Sequence, residues 1–354
     1  PTPGPGGDGM KLRRPLVISI ALLGLALWLL AWFRPLALPD EGRYGDVGRF
    51  MMISGDWLAP RLDGIPFFHK PPLLHWLQAA ALSLAGVHPW VSRWVPVLHA
   101  VLMIAVMAWA TRRLWNEQVA LRAIWMLGTS LAFLIGGQYI NHDMLVAAWI
   151  SVAIWCFALS MLHGDRPCPQ LARMGFVACG LGVLAKGLIG LVLPGLVMVV
   201  WVTLMRLWRK ALHLPWISGL AALAVVTLPW FFWVERVHPG VFDYLIIGQH
   251  FGRYTGTTFN NQQPGWFFLA VLPLLTLPWS GWLWPAARRT WQALVRQRDA
   301  RTGPGTQAPG AGRRGIRDAL HDRKCGAARG GVNPRCRRGR AGTDKGSCGN
   351  QGPR

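Results

Sequence analysis

The sequence predicts an all-α protein that crosses a membrane several times and ends in a disordered tail. Of its 354 residues, 52% are hydrophobic and only 15% are charged, whereas an ordinary soluble domain has about 25% charged residues. Several apolar runs reach the length of about 20 residues that crosses a bilayer. The six cysteines are scattered, which excludes a disulfide scaffold or a cysteine-based zinc module.

The apolar runs predict eight transmembrane crossings. They cover residues 15–34, 92–111, 118–138, 142–163, 172–186, 187–205, 215–234 and 266–286. A cleaved signal peptide is the alternative for the first run, because Lys11, Arg13 and Arg14 precede it. That run is longer than a signal core of about 7–15 residues and no A-x-A site follows it. We therefore favour a membrane anchor.

The placement of Lys and Arg predicts the orientation of the crossings. The basic residues before the first run place the N-terminus in the cytoplasm, and Arg112 and Arg113 then lie in a cytoplasmic loop. This alternation holds only if residues 73–87 lie along the membrane interface and do not cross it. The predicted outer loops are 35–91, 139–141 and 235–265.

The first outer loop contains an acidic pair, Asp40-Glu41, directly after the first crossing. A solvated loop start is the alternative to a functional pair. Residues 44–53 then have the pattern of an amphipathic helix, with Val47, Phe50 and Met51 on one face.

Three prolines predict an extended path around Lys70 later in the same loop. They are Pro66, Pro71 and Pro72. This path holds Lys70 at the membrane surface, where an anionic lipid headgroup lies. A snorkelling lysine is the alternative.

Two further outer segments carry polar residues. Asp143 lies at the mouth of a crossing, where a carboxylate is costly unless it faces a cavity or partner, and interfacial solvation is the alternative. His250 and Arg253 lie in loop 235–265. Three separate segments thus place acids, cations and histidines on one membrane face.

Four motifs in these segments resemble bacterial family 39 glycosyltransferases. These enzymes are related to the lipid A aminoarabinose transferase and to protein O-mannosyltransferases, which have the C-type glycosyltransferase fold. The resemblance covers residues 12–290, and the remainder is expected to be a disordered N-terminus, 1–11, and a tail, 291–354. The motifs are LPDEGRYG with FFHKPP, YINHDML, LAKGLIGLVLP and IIGQHFGRY.

The resemblance implies an inverting enzyme that transfers a sugar from a polyprenyl-phosphate donor on the periplasmic face of the inner membrane. Asp40 then matches the main catalytic carboxylate, with Glu41 its neighbour, and Asp143 matches the second acidic residue. Lys70 and Arg253 match the pair that binds the donor phosphate. The acceptor class is lipid A, another glycolipid or a protein.

The resemblance also raises the question of a metal ion. His250 matches a metal-ligand position in the aminoarabinose transferase, but the residue before the lysine is Glu there and His69 here. Two imidazoles are able to bind zinc, so a divalent ion (zinc, magnesium or manganese) is the candidate cofactor. The departure at His69 leaves this expectation open.

The tail departs from the family pattern. Residues 301–354 hold 13 Lys and Arg against 3 Asp, and 13 of the 54 residues are Gly. Such a segment cannot bury a core. It lacks the interleaved aromatics of an RNA-binding arm, so nucleic acid is not an expected partner, and a shifted reading frame is the favoured interpretation. The match then predicts a shortened enzyme with incomplete donor and acceptor sites.

Two other functions remain as alternatives to sugar transfer. A polytopic lipid or solute transporter predicts repeat symmetry and charged or broken spans at mid-membrane, and no convincing repeat is present. A membrane-anchored nucleic-acid-binding protein would make the tail the functional part. The polar residues lie at one membrane surface, which favours the transferase.

Overall fold

The computed structural model describes residues 13–252 and 264–302. The predicted disordered N-terminus, 1–11, and residues 303–354 of the predicted tail lie outside them. The first half contains α1 Arg14–Trp32, α2 Asp40–Ser54, β1 Arg61–Leu62, β2 Ile65–Pro66, α3 Leu73–Ala85, α4 Pro89–Ser92, α5 Trp94–Leu114, α6 Glu117–Gly128 and α7 Leu131–Gly136. The second half contains α8 His142–Leu162, α9 Pro169–Lys186, α10 Ile189–Met205, α11 Trp208–Leu212, α12 Trp216–Val237, α13 Val241–Asp243, a π-helix Tyr244–Gly252, α14 Gly265–Leu275 and α15 Ser280–Thr302.

The helical membrane fold is confirmed. Among the described residues, four helices are long and apolar enough to cross a membrane: Arg14–Trp32, Pro89–Leu114, His142–Leu162 and Trp216–Val237. A pair of helices bent by 110°, Trp266–Leu275 and Ser280–Gln292, makes a fifth if the pair is one span. The apolar helix α10 is shorter, with 17 residues. By length and composition, the described residues therefore supply fewer full spans than the eight predicted.

The predicted single span 118–138 was wrong, because two helices occupy it. α6 ends at Gly128, and the hydroxyl groups of the next two residues bond back to helix carbonyls: Thr129 to Trp125 at 2.6 Å and Ser130 to Leu127 at 2.8 Å. Such side-chain bonds compete with the backbone ladder and favour a break. The Trp279 indole donates to the Thr129 hydroxyl at 2.9 Å across the break.

The predicted span 266–286 is also interrupted. α14 ends at Leu275, and Pro278, which has no backbone N–H, lies between α14 and α15 and disfavours a helical residue before it. The structure then continues α15 to Thr302, so the predicted start of the disordered tail at residue 291 was too early. Residues 291–302 are rich in Ala, Leu, Gln and Arg, which are good helix formers.

The helical core centres on α8, which packs most closely on α9 and α5. α9 and α10 meet through glycines: a Cβ built on Gly182 would lie 3.0 Å from the Gly190 Cα. Small residues allow such close backbone approach between membrane helices. Gly187, with φ of 92°, separates the two helices at the predicted boundary and leaves Lys186 at the end of α9.

The first outer loop folds into α2, a hairpin and α3 on top of the helical core. α3 has 13 residues, about 20 Å at 1.5 Å per residue, which is too short to cross; the interfacial prediction for 73–87 fits this length. Val47 and Met51 of α2 are buried as predicted. The helix itself begins at Asp40, four residues before the predicted start.

The β-hairpin was not predicted, although its turn has a recognisable sequence. Asp63 and Gly64 form the two-residue turn, with φ of 52° and 79°, and Asp-Gly is a strong signal for this type of turn. The segment before the hairpin is fixed by two indoles. Trp76 donates to the Trp57 carbonyl at 2.6 Å, and Trp230 donates to the Leu58 carbonyl at 3.0 Å.

Candidate active site

Glu41 is the most densely bonded carboxylate of the outer loop. It is fully buried, and Arg34 and Arg93 each bond both of its oxygens. The Arg34 distances are 2.6 and 2.8 Å, and those of Arg93 are 2.8 and 3.1 Å. The backbone N–H groups of Ala37 and Ile140 also donate to it, at 2.8 and 3.0 Å. Burial alone raises the pKa of Glu41, but these donors outweigh it and lower the pKa to about 2.

Arg93 extends this buried centre to the backbone. Its guanidinium is fully buried and donates to the carbonyls of Ala31, Arg34 and Pro35 at 2.7–2.9 Å. The centre therefore joins the end of α1, the start of α2 and the segment before α8. Sequence reasoning missed Arg93. A signal was present, because an arginine beside a long apolar run is expected to pair with a buried acid or with backbone carbonyls.

Asp40 lies beside Glu41 in the first turn of α2 but faces outward. Its side chain is 45% exposed, and Arg43 donates to it at 2.6 Å. The Arg43 guanidinium also lies over the Tyr44 ring, 4.9 Å from its centroid. This carboxylate is therefore oriented by one arginine and accessible to a substrate.

Asp143 lies in the first turn of α8, at the predicted mouth of a membrane helix. The Asn141 side chain caps the helix by accepting from the Asp143 N–H at 2.9 Å. Lys186, from the end of α9, forms an ion pair with the Asp143 carboxylate, which is 60% exposed. The LAKGLIG motif was noted in the sequence, but the pairing of its lysine with Asp143 was not predicted.

Tyr44 lies within electrostatic range of both carboxylates. Burial raises the pKa of Tyr44, the Arg43 charge lowers it, and the charges of Asp40 and Asp143 raise it further. The tertiary structure thus brings together the two acidic residues that are about a hundred positions apart in sequence.

Lys70 and Lys186 line a common narrow crevice, and the closeness of these two lysines was not predicted. His69, Pro71 and Gly187 line it too, together with Phe231, Leu245 and Ile246. A second cleft of about 300 Å³ borders it and shares His69; its other walls are Pro66, Phe68, Pro239, Gly240, Val241 and Tyr244. Lys70 and Lys186 therefore lie close to each other, and Lys186 links this region to Asp143.

The remaining predicted residues are only partly covered by the structure. Arg253 lies outside the described residues. His250 falls in the π-helix, where its side chain is not described. His69 packs on Phe67, with ring centroids 4.2 Å apart, and no group of three His, Cys, Asp or Glu side chains occurs in the described part of the chain. The metal expectation for His69 and His250 stays a prediction.

Known proteins are similar to this chain over most of its length. The chain is 30% identical over 280 residues to the undecaprenyl phosphate-alpha-4-amino-4-deoxy-L-arabinose arabinosyl transferase 2 of Pseudomonas fluorescens, covering 76% of this chain and 50% of the relative. The corresponding transferase of Pseudomonas aeruginosa is 30% identical over 288 residues, covering 79% and 52%. This chain therefore spans about half the length of the curated relatives that it matches.

A solved structure is similar as well. The crystal structure of ArnT from Cupriavidus metallidurans bound to undecaprenyl phosphate matches with a TM-score of 0.69 and 28% identity, over 80% of this chain and 51% of that one. The family of dolichyl-phosphate-mannose-protein mannosyltransferases matches residues 19–245. Because this match covers more than half of the chain, the protein belongs to the dolichyl-phosphate-mannose-protein mannosyltransferase family.

Proposed function

We propose that this multi-pass membrane protein transfers a sugar from a polyprenyl-phosphate donor to a lipid or other cell-envelope acceptor. One observation carries the proposal: Lys186 pairs with Asp143 and lies close to Lys70, while the charges of Asp40 and Asp143 both act on Tyr44. The fold that presents these residues resembles the crystal structure of ArnT from Cupriavidus metallidurans bound to undecaprenyl phosphate. Family membership favours this function over a transporter.

The proposed reaction is an inverting displacement at the anomeric carbon of the donor sugar. Asp40 accepts the proton of the acceptor hydroxyl while the hydroxyl oxygen forms a bond to the anomeric carbon. The bond from the anomeric carbon to the phosphate oxygen breaks, and its electron pair leaves with the polyprenyl phosphate. Lys70, with Arg253, stabilises the negative charge that develops on this leaving group.

The two other acidic residues have different roles in this proposal. Asp143, held by Lys186, orients the acceptor. Glu41 positions Asp40, because buried arginines and backbone N–H groups hold the Glu41 carboxylate and thereby fix the start of α2. No step is assigned to a metal. Lipid A, another glycolipid and a protein are the candidate acceptors, and aminoarabinose, the sugar named for the relatives, is the first donor sugar to test.

The test measures donor binding and sugar transfer by the full chain in lipid vesicles, with Asp40→Asn as the variant. We expect turnover to fall by about a hundredfold to ten-thousandfold, which is the contribution of a general base, while donor affinity persists. Lys70→Ala should instead weaken donor binding. Asp46→Asn is the matched control, because Asp46 also pairs with an arginine three residues along α2. Normal turnover by Asp40→Asn would refute its assignment.

We also propose that the site faces the periplasm and that the N-terminus lies in the cytoplasm of a cell with an inner membrane. Asp63, at the hairpin tip, and Arg113, at the end of α5, are both exposed and lie in loops predicted on opposite sides. A membrane-impermeant thiol reagent applied from the periplasm should label Asp63→Cys and spare Arg113→Cys. The reverse labelling would overturn the orientation.

A further inference from the structure

A group of buried polar side chains lies against Tyr44 of α2, and none of the chemistry above uses it. We call it the inner polar cluster and define it as His75 and Gln78 of α3 and His142 of α8. Gln78 is fully buried, and His75 and His142 are 1% and 3% exposed. The cluster lies where α2, α3 and α8 meet, close to the turns that carry Asp40 and Asp143.

The rings of the inner polar cluster are in close contact with each other and with Tyr44. The Tyr44 and His142 centroids are 4.8 Å apart in an edge-to-face arrangement, and those of His75 and His142 are 5.4 Å apart. Gln78 lies tightly against α2, since a Cβ built on Gly48 would come within 2.7 Å of the Gln78 Cβ and 3.0 Å of its Oε1. One compact site therefore contacts all three helices.

Four buried polar atoms of this cluster make no hydrogen bond of good geometry within the described residues, although the Gln78 side chain lies close enough to His75 to raise the pKa of that imidazole slightly against the effect of burial. They are the Nδ1 of His75, the Nε2 of His142, and both the Oε1 and the Nε2 of Gln78. Buried polar atoms are nearly always hydrogen-bonded in folded proteins, because an unpaired group loses its hydration without compensation. The convergence of four such atoms at one place indicates a ligand that both donates and accepts hydrogen bonds.

The chemistry of the cluster favours a neutral ligand. Burial lowers the pKa of His75 to about 4, so its imidazole is neutral at pH 7 and offers one donor and one acceptor. No carboxylate or thiolate belongs to the cluster, and two neutral imidazoles would leave the charge of a divalent cation uncompensated in a buried site. Water fits, since a buried water takes two to four polar partners.

We propose that His75, Gln78 and His142 bind ordered water beside Tyr44, and that this hydrated site positions the helix ends carrying Asp40 and Asp143. The three residues are positioning residues, because they act through water and Tyr44 and do not face the substrate. The second half of this proposal rests on the proposed sugar transfer. The first half does not.

Gln78→Met separates a hydrated site from a dry one by the sign of its effect on stability. Methionine has a similar length, and its thioether sulfur is only a weak hydrogen-bond acceptor. If Gln78 binds water, the substitution removes a partner from that water, and the midpoint of thermal unfolding in detergent should fall by several degrees. If the site is dry, the substitution removes two unpaired polar atoms, and the midpoint should stay or rise. Leu82→Met on the same helix, also buried, is the control for a change to methionine.

Two further measurements complete the test. A high-resolution experimental structure should contain water within 2.7–3.2 Å of at least two of the four atoms; a metal ion or a dry cluster there would overturn the proposal. In the transfer assay, Gln78→Met should lower kcat about tenfold with the donor KM unchanged, as expected for misplaced groups. A change in KM alone would contradict the positioning role. Stability and structure are read without activity, so failure of the proposed function leaves the water site tested.

Discussion

Asp40 and Glu41 are adjacent in sequence but lie in opposite environments. The Glu41 side chain is completely buried and bonded to two arginines and two backbone N–H groups, whereas that of Asp40 is 45% exposed and held by Arg43 alone. Successive residues of an α-helix point about 100° apart, so the first turn of α2 directs one carboxylate inward and the other outward. The two acids of this pair therefore have separate roles. Glu41 stabilises the packing of the helix start, and Asp40 stays accessible to solvent.

The largest expected effect comes from removing the buried charge. Glu41→Gln leaves Arg34 and Arg93 without their anion, and breaking a buried ion pair costs about 3–5 kcal/mol of unfolding free energy. Asp40→Asn should cost less than about 1 kcal/mol, because exposed pairs contribute little. Thermal unfolding of both variants in detergent measures the contrast. Equal losses would show that the two carboxylates do not differ as described.

Acid should reveal the same difference without a mutation. Because the pKa of Glu41 is lowered from 4.5 to about 2, its stabilising contribution is complete above pH 4.5 and is lost as the pH falls through about 2. The full loss is on the order of 3 kcal/mol. Unfolding midpoints of the wild type should therefore decrease across this window. Glu41→Gln should have a shallower decrease, and parallel pH profiles would contradict the assignment.

The two arginines of the centre should also differ from each other. Arg93 is fully buried and bonds three carbonyls as well as Glu41, whereas the Arg34 side chain is 28% exposed. Arg93→Met should cost about 3 kcal/mol, and Arg34→Met roughly half as much because water replaces part of its bonding. Unfolding in a denaturant series would rank them. A larger loss for Arg34→Met than for Arg93→Met would show that Arg34 is the main stabilising partner of Glu41.

The smallest stability effect is expected at the outer face. Lys186 and Asp143 form a partly exposed pair, so Lys186→Gln should change the unfolding free energy by less than about 1 kcal/mol. The same substitution should lower sugar transfer, since Asp143 loses the group that orients it. A stable and fully active variant would remove Lys186 from the site.

Motifs that depend on neighbouring residues were predictable from the sequence. The first crossing, the boundary at Gly187 and the short helix α3 follow from runs of apolar residues and from one glycine. The breaks in 118–138 and 266–286 were not predicted, because a run of apolar residues does not reveal that Thr129 and Ser130 bond back to carbonyls or that Pro278 disfavours a continuous helix. The hairpin at Asp63-Gly64 had a local signal that proline-based reasoning passed over.

The candidate site divides in the same way. Asp40, Lys70 and Asp143 were identified from their motifs, and the structure places Lys70 near Lys186, which pairs with Asp143. The sequence did not distinguish the environment of Glu41 from that of Asp40, since both are acids at the same helix start. It also did not reveal Arg93 as the buried partner of Glu41, 52 residues away.

The sequence by itself determined that this protein is a helical membrane protein with acids and cations near the ends of its helices, because hydrophobicity and charge are properties of local stretches. Only the tertiary structure decided which carboxylate is buried, which lysine pairs with Asp143, and that His75, Gln78 and His142 share one buried site. Those outcomes depend on contacts between helices that are distant in sequence, and a contact of that kind exists only once the helices have packed.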